Sequence, residues 1–191
     1  MTCSLSENER DRIALSAQCE DEGIRVERGV VYMENPREEP MSESMQDVSE
    51  RAMNYFREGL NCAECVMRSY MDTHEFGLPQ EIIALASGYG GGMGKTKNCC
   101  GAINGAMLAL GLKKGRRNPF EKETPQERTA ELQILYQPFG EMVTEIQNHY
   151  GTLLCRELTQ PFSDWDSKER RKFCQELVGF CAAVAAKYAA D

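Results

Sequence analysis

Cysteine is the residue with which this chain is best equipped to do chemistry: nine stand at positions 3, 19, 62, 65, 99, 100, 155, 174 and 181 of 191 residues. The N-terminal stretch "MTCSLSENERDRIALSAQ" carries no apolar segment of signal-peptide length, so the chain reads as cytoplasmic. In a reducing compartment such a set of thiols serves metal binding or redox chemistry rather than structural disulfides, and the odd count agrees. Several of the nine are nevertheless expected to be small buried hydrophobes and nothing more.

The densest stretch, "YGGGMGKTKNCCGAING" from Tyr89 to Gly105, joins two competing signatures. Gly94-Lys95-Thr96 imitates the end of a phosphate loop, but the pattern G-x-x-x-x-G-K-[ST] would put its first glycine on Tyr89, one residue out of register with Gly88 and Gly90. The preceding "EIIALASG" is alanine-rich rather than a β-branched strand, and no strand-helix-strand pattern occurs elsewhere. No nucleotide is therefore expected. Gly90, Gly91, Gly92 and Gly94 read instead as a tight loop whose backbone passes close to the cysteines. Asn98 reads as the cap of a helix with Cys99 and Cys100 in its first turn, where unpaired N–H groups and the helix dipole favour a thiolate. Behind them Gly101, Ala102, Gly105 and Ala106 keep one face narrow, either for approach to the sulfurs or for helix packing.

Cys62 repeats this arrangement after Gly59 and Asn61. Cys62 and Cys65 form a C-x-x-C, but Val66 rather than histidine follows, which excludes covalent c-type haem there. No second C-x-x-C pairs with it, which disfavours a zinc ribbon or finger, and the missing strand-helix-strand context disfavours a thioredoxin-like use. Cys174 and Cys181 lie seven residues apart, within about 20° of eclipsed on one helical face. The two histidines, His74 and His149, read as surface or capping residues; His149 stays a weak alternative ligand because it precedes Cys155 by six residues.

The elements that must carry these residues are helical. Apolar positions recur at three-and-four spacing in Met45 to Phe56 and again in "CAECVMRSYM", with Asn61 as the cap between them. "PQEIIALASG" gives a short helix, and the next is expected from about Asn98 through "AMLALGL". Thr124-Pro125 opens a long helix that Pro138 and Gly140 should kink or split. "TLLCREL" holds a shorter element, and Ser167 caps a last helix carrying Phe173, Leu177, Phe180, Val184 and Tyr188. The expectation is an all-α bundle of six or seven helices over residues 41–191. Residues 1–40 are set apart as an appendage of different texture: a polar helical stretch, two short strands turning at Arg28-Gly29, and the linker "ENPREEP".

The 30 acidic and 22 basic residues leave a formal charge of -8, which repels phosphate backbones, so nucleic-acid binding is not expected. The short basic cluster "LKKGRR" reads as a solvated loop after a helix. No run approaches the length of a membrane span, so membrane insertion is not expected either.

Taken in order, "GLNCAECV", "GGGMG" with "CGAINGAMLALGL", "CREL" and "FCQELVGFCAAVA" resemble the C_GCAxxG_C_C family of redox-active proteins, over roughly residues 50 to 188. Carried over residue by residue, the resemblance puts the family's four cysteines on Cys62, Cys100, Cys155 and Cys174, with Cys65, Cys99 and Cys181 as extra thiols beside them. The family is similar to the iron-sulfur-binding part of split-Soret cytochromes, which implies an iron-sulfur cluster, [2Fe-2S] or [4Fe-4S]. The haem half does not transfer, since the C-x-x-C-H element is absent. Four thiolates suit such a cluster, and N–H groups of the loop at Gly90 to Gly94 could donate to its sulfides. The resulting expectation is an electron carrier served by a redox partner protein, with a homodimer compatible with the sequence. The alternatives are a metal-free thiol-disulfide oxidoreductase or redox sensor, and a non-redox protein that binds zinc or another thiophilic ion.

Overall fold

The structure, a computed structural model, describes residues 24–27, 30–33 and 41–190. Cys3, Cys19, the polar stretch after Glu7, the turn at Arg28-Gly29 and the linker at 34–40 lie outside the described residues. Strands β1 (Ile24–Glu27) and β2 (Val30–Met33) pair antiparallel, Ile24 opposite Met33 and Glu27 opposite Val30. The remainder is helical, so the all-α expectation holds: six α-helices and one 3-10 helix among the described residues.

Local chemistry sets most boundaries. Helix α1 (Glu43–Glu58) starts where the Met45 N–H donates to the Ser42 hydroxyl and stops at Gly59, whose φ of 100° favours glycine. Helix α2 (Cys62–Thr73) opens on a reciprocal box: Asn61 Oδ1 accepts from the Ala63 and Glu64 N–H groups, and the Glu64 carboxylate accepts from the Asn61 N–H. The Pro79-led segment Gln80–Tyr89 is the expected short helix, of the 3-10 type. Helix α3 spans Gly101–Lys114, α4 Pro125–Tyr150, α5 Cys155–Leu158 and α6 Lys168–Ala189. Thr124 and Ser167 cap α4 and α6 as their sequences indicate.

Two expectations are corrected. Helix α3 does not start under an Asn98 cap with both cysteines in its first turn. Cys100 is itself the N-cap residue and the first helical position is Gly101. The reason is tertiary: Cys99 pairs in an isolated antiparallel bridge with Leu154, which holds the backbone extended, while Asn98 Oδ1 accepts only from the adjacent Cys99 N–H. Helix α4, for its part, runs unbroken through Pro138 and Gly140. Proline at 138 deprives the Ile134 carbonyl of its helical partner, but Ile134 is 76% exposed and water can satisfy it.

Helix α6 is the centre of the bundle. It packs against α1, α2, α3 and α4, and Ala182, Ala183, Val184 and Ala185 are buried in succession, which a helix on the outside would not allow. Close crossings depend on small residues. A Cβ at Gly179 would stand 2.8 Å from Met53 Cγ and 2.9 Å from Ser49 Oγ, so α1 presses on α6 there. At the α2-α3 crossing, a Cβ at Gly105 would meet the Ala63 carbonyl oxygen at 2.7 Å and Val66 Cβ at 2.9 Å. Gly105 therefore serves helix packing rather than access to the sulfurs. Glu145 ties α4 to α6 by accepting from Lys187 Nζ at 2.9 Å and from the Tyr188 hydroxyl at 2.8 Å. No helix among the described residues is long and apolar enough to cross a membrane.

The crossing can be tested within one helix. Gly105→Ala should destabilise the fold by about 2 kcal/mol and lower the melting temperature by about 6 °C, because backbone must shift to admit the methyl. Gly111→Ala, where a Cβ meets nothing within 4 Å, should instead stabilise by about 0.5–1 kcal/mol through helix propensity. Equal effects in thermal melts would contradict the close α2-α3 contact.

Candidate metal centre

Backbone pairing positions the thiols before any side chain acts. The Cys100 N–H donates to the Leu153 carbonyl at 2.9 Å, the Cys155 N–H to the Asn98 carbonyl at 2.8 Å, and the Arg156 N–H to the Lys97 carbonyl at 3.0 Å. This short antiparallel ladder holds the start of α3 against the start of α5. Cys62, the first residue of α2, joins them because Gly101 leaves room: a Cβ there would lie 3.1 Å from Cys62 Cβ and 2.7 Å from the Tyr89 carbonyl oxygen. Cys174 comes from the first half of α6. Cys62 and Cys155 are thus first residues of their helices and Cys100 an N-cap.

The glycine loop closes over this group in an unusual backbone form. Gly91, Gly92, Met93, Gly94 and Lys95 have φ of 62°, 73°, 62°, 67° and 64°, a left-handed turn that includes two non-glycine residues. Lys97 follows at 59°. Bonds from the Met93 N–H to the Tyr89 carbonyl, from Lys95 to Gly90, from Lys97 to Gly91 and from Asn98 to Gly92 hold it in place. The glycines divide their work. Gly90 backs onto the Asn61 side chain, the Gly91 backbone favours the ionised form of Cys62, and Gly92 presses on the Cys155 Cβ, which a methyl at 92 would meet at 2.7 Å. A Cβ at Gly94 meets nothing closer than the Gly88 carbonyl oxygen at 3.9 Å, so that residue serves the turn alone. The loop leaves a 3-10 helix rather than a strand, and the Thr96 hydroxyl is spent on the Gly92 and Met93 carbonyls. It is not built as a phosphate loop.

All seven described cysteines are free thiols. Cys62 is the hub: burial raises its own pKa, and its charge would oppose ionisation of Cys65, Cys100, Cys155, Cys174 and Cys181. Burial, then the Cys62 sulfur, pushes Cys155 up to about 11 and Cys174 up to about 12. Cys100 is raised well above the ordinary thiol value by burial, then by Cys62, Cys181 and Cys155. The sequence-based expectation of thiolates favoured by helix N-termini is thus reversed, because loss of hydration outweighs the dipole. Cys65 and Cys181 are fully buried core residues, and the Cys65 thiol donates to the Leu60 carbonyl at 3.5 Å. Cys99 is partly exposed, with Asn104 beside its sulfur. Among the described residues, no three His, Cys, Asp or Glu side chains stand close enough to share one metal ion.

One residue at the site was not singled out from the sequence. Arg170 is only 8% exposed, one turn ahead of Cys174 on α6, and its Nη1 donates to the Cys174 sulfur at 3.6 Å. Its charge also favours ionisation of Cys62 and Cys155. The Trp165 ring covers the guanidinium, with 4.3 Å from Cζ to the ring centroid, and Lys97 Nζ approaches the same ring at 5.0 Å. The i, i+4 spacing to Cys174 was legible, but in "KERRKFC" nothing marks which cation turns inward. The histidines stay apart from the thiols: His74 ends α2 stacked on Tyr70 at 4.3 Å, and His149 stacks on Phe180 at 4.1 Å.

Residues 60–188 match the family described as "Putative redox-active protein (C_GCAxxG_C_C)". A protein of Archaeoglobus fulgidus, named only as an uncharacterized protein, is 25% identical over 144 residues, 71% of this chain and 89% of that one. No solved structure matches the chain at a significant level. The matched span takes in the Asn61 cap, the glycine loop, the paired ladder and all seven described cysteines. On that match, which covers well over half its length, the chain belongs to the C_GCAxxG_C_C family.

Proposed function

We propose that Cys62, Cys100, Cys155 and Cys174 hold an iron-sulfur cluster and that the protein passes electrons to or from a redox partner protein. The observation that carries this reading is that the backbone ladder and the bare Gly101 set Cys100 and Cys155 beside Cys62, and that all three other thiols, Cys100, Cys155 and Cys174, feel the Cys62 sulfur. The residues fit the group in three respects. The donor set is four sulfurs, the ligand type that such clusters take. Glycine stands at 92 and 101, where a side chain would press on Cys155 and Cys62. A buried cation, Arg170, lies beside sulfurs that carry no charge while protonated. When bound, the cluster would supply a redox couple in the bundle interior. The chain's own part is to hold it, to favour the ionised Cys62 sulfur from the Gly91 backbone, and to limit water behind Trp165.

The alternatives fit less well. A thiol-disulfide exchanger needs a thiolate near neutral pH, whereas burial raises the pKa of every described cysteine here. A single zinc ion needs four donors around one point, and among the described residues no three stand so. The irons of a cluster take their thiolates separately, so the ligands are set wider apart.

Anaerobic reconstitution with iron and sulfide, followed by metal and sulfide analysis and electron paramagnetic resonance, tests the assignment. The wild type and the core variants Cys65→Ala and Cys181→Ala should load fully, and Cys100→Ser should lose the cluster. A wild type without iron and sulfide, or a Cys100→Ser variant that loads like it, would sink the proposal.

The raised pKa values also fix a pH dependence. Ligand thiols are protonated at neutral pH, so each one that binds metal releases a proton. Apparent affinity for iron(II) should therefore climb about tenfold per pH unit per ligand below the thiol pKa values, read by competition with a chelator. Without metal the sign reverses. The folded chain keeps protons that unfolded thiols lose above their ordinary 9.0, since Cys155 titrates at about 11. The melting temperature of metal-free protein should accordingly fall from pH 9 to pH 11.

A further inference from the structure

Arg170 presents three facts that need a common cause. It is a guanidinium only 8% exposed, no carboxylate among the described residues pairs with it, and its Nε–H has no hydrogen-bond partner. A buried cation is costly unless an anion and acceptors surround it. What surrounds Arg170 is Trp165 on its face, the Cys174 sulfur on Nη1, and Cys62 and Cys155 within its field. Lys97 adds a second positive charge on the other contact of Trp165 and favours the ionised form of Cys155. Two cations thus share one indole ring within a chain of net charge -8.

We infer that Arg170 is a positioning residue whose Nε–H donates to an acceptor outside the protein, the inorganic sulfide of the centre, and whose charge raises that centre's reduction potential. The inference rests on the cluster reading and deepens it. Four thiolates and sulfide supply the anion that the guanidinium lacks, and one-electron reduction adds negative charge beside a fixed cation, so the reduced form gains more. Trp165 confines the guanidinium and leaves its edge for the sulfurs.

The reconstituted full-length protein provides the test. Potentials of wild type, Arg170→Gln and Arg170→Lys are measured by redox titration monitored by electron paramagnetic resonance, with iron and sulfide content alongside. Arg170→Gln should shift the equilibrium at least tenfold toward the oxidised form, 59 mV for a one-electron couple. Arg170→Lys should recover part of that shift, because it keeps the charge and loses the Nε donor. Since Arg170→Gln could fail to fold, wild type labelled with 15N-arginine gives a measurement free of substitution: pulsed resonance should show nitrogen coupling to the reduced centre, lost in labelled Arg170→Lys. Unchanged potentials at full loading, or no nitrogen coupling in the wild type, would overturn the role of Arg170 and leave the cluster standing. A wild type that takes up no iron and sulfide would overturn the cluster reading and this inference with it.

Discussion

Three backbone hydrogen bonds cross between residues 97–100 and 153–156, and with them the starts of two helices are set edge to edge. Side chains could not do this alone. A cysteine on a helix has a short reach, so its sulfur can meet another only where the two backbones are already close. The ladder brings Cys100 and Cys155 near, the absent side chain at Gly101 admits Cys62, and α6 carries Cys174 in from the core. The same pairing displaces the start of α3 from Asn98 to Gly101, which makes Cys100 the cap residue.

Burial and the helix termini compete for the state of the thiols, and burial wins. A helix terminus contributes about 0.3–1 kcal/mol to a nearby charge when exposed. Loss of hydration acts on every sulfur here and is reinforced by the others, so ionising one makes the next harder. Such a group is a poor nucleophile and, on the cluster reading proposed above, a good trap. A metal that binds all its members at once removes their protons and replaces mutual repulsion with attraction. The Gly91 backbone, Arg170 and Lys97 all favour the ionised form, which is the form that only a bound cation would populate.

The glycine loop shows where stability has been given up for that arrangement. Met93, Lys95 and Lys97 sit at positive φ at a cost of about 1–2 kcal/mol each. A looser loop would avoid the strain but would not run its backbone past Cys62 and Cys155 at contact distance. Bonds from Asn98 and Lys97 back to Gly92 and Gly91 hold the turn shut.

Local chemistry alone determined a good part of the protein. Helix starts at Asn61, Thr124 and Ser167, the three-and-four apolar spacing and the cysteine positions are short-range properties, so the all-helical bundle and its candidate thiols were legible before any folding was known. Three outcomes required the tertiary structure. The Asn98 cap failed because residues 153–156, far off in sequence, hydrogen-bond the backbone of residues 97–100 and hold it out of the helix. Gly105 proved to be a packing residue because Ala63 crosses it at 2.7 Å. Arg170 turned inward while its neighbour Arg171 stayed outside, a choice set by which face of α6 the sulfurs and Trp165 occupy. Sequence fixes which residues share a face of one helix, but only the packed bundle decides which face is denied water, and at this site that denial raises the pKa of the thiols.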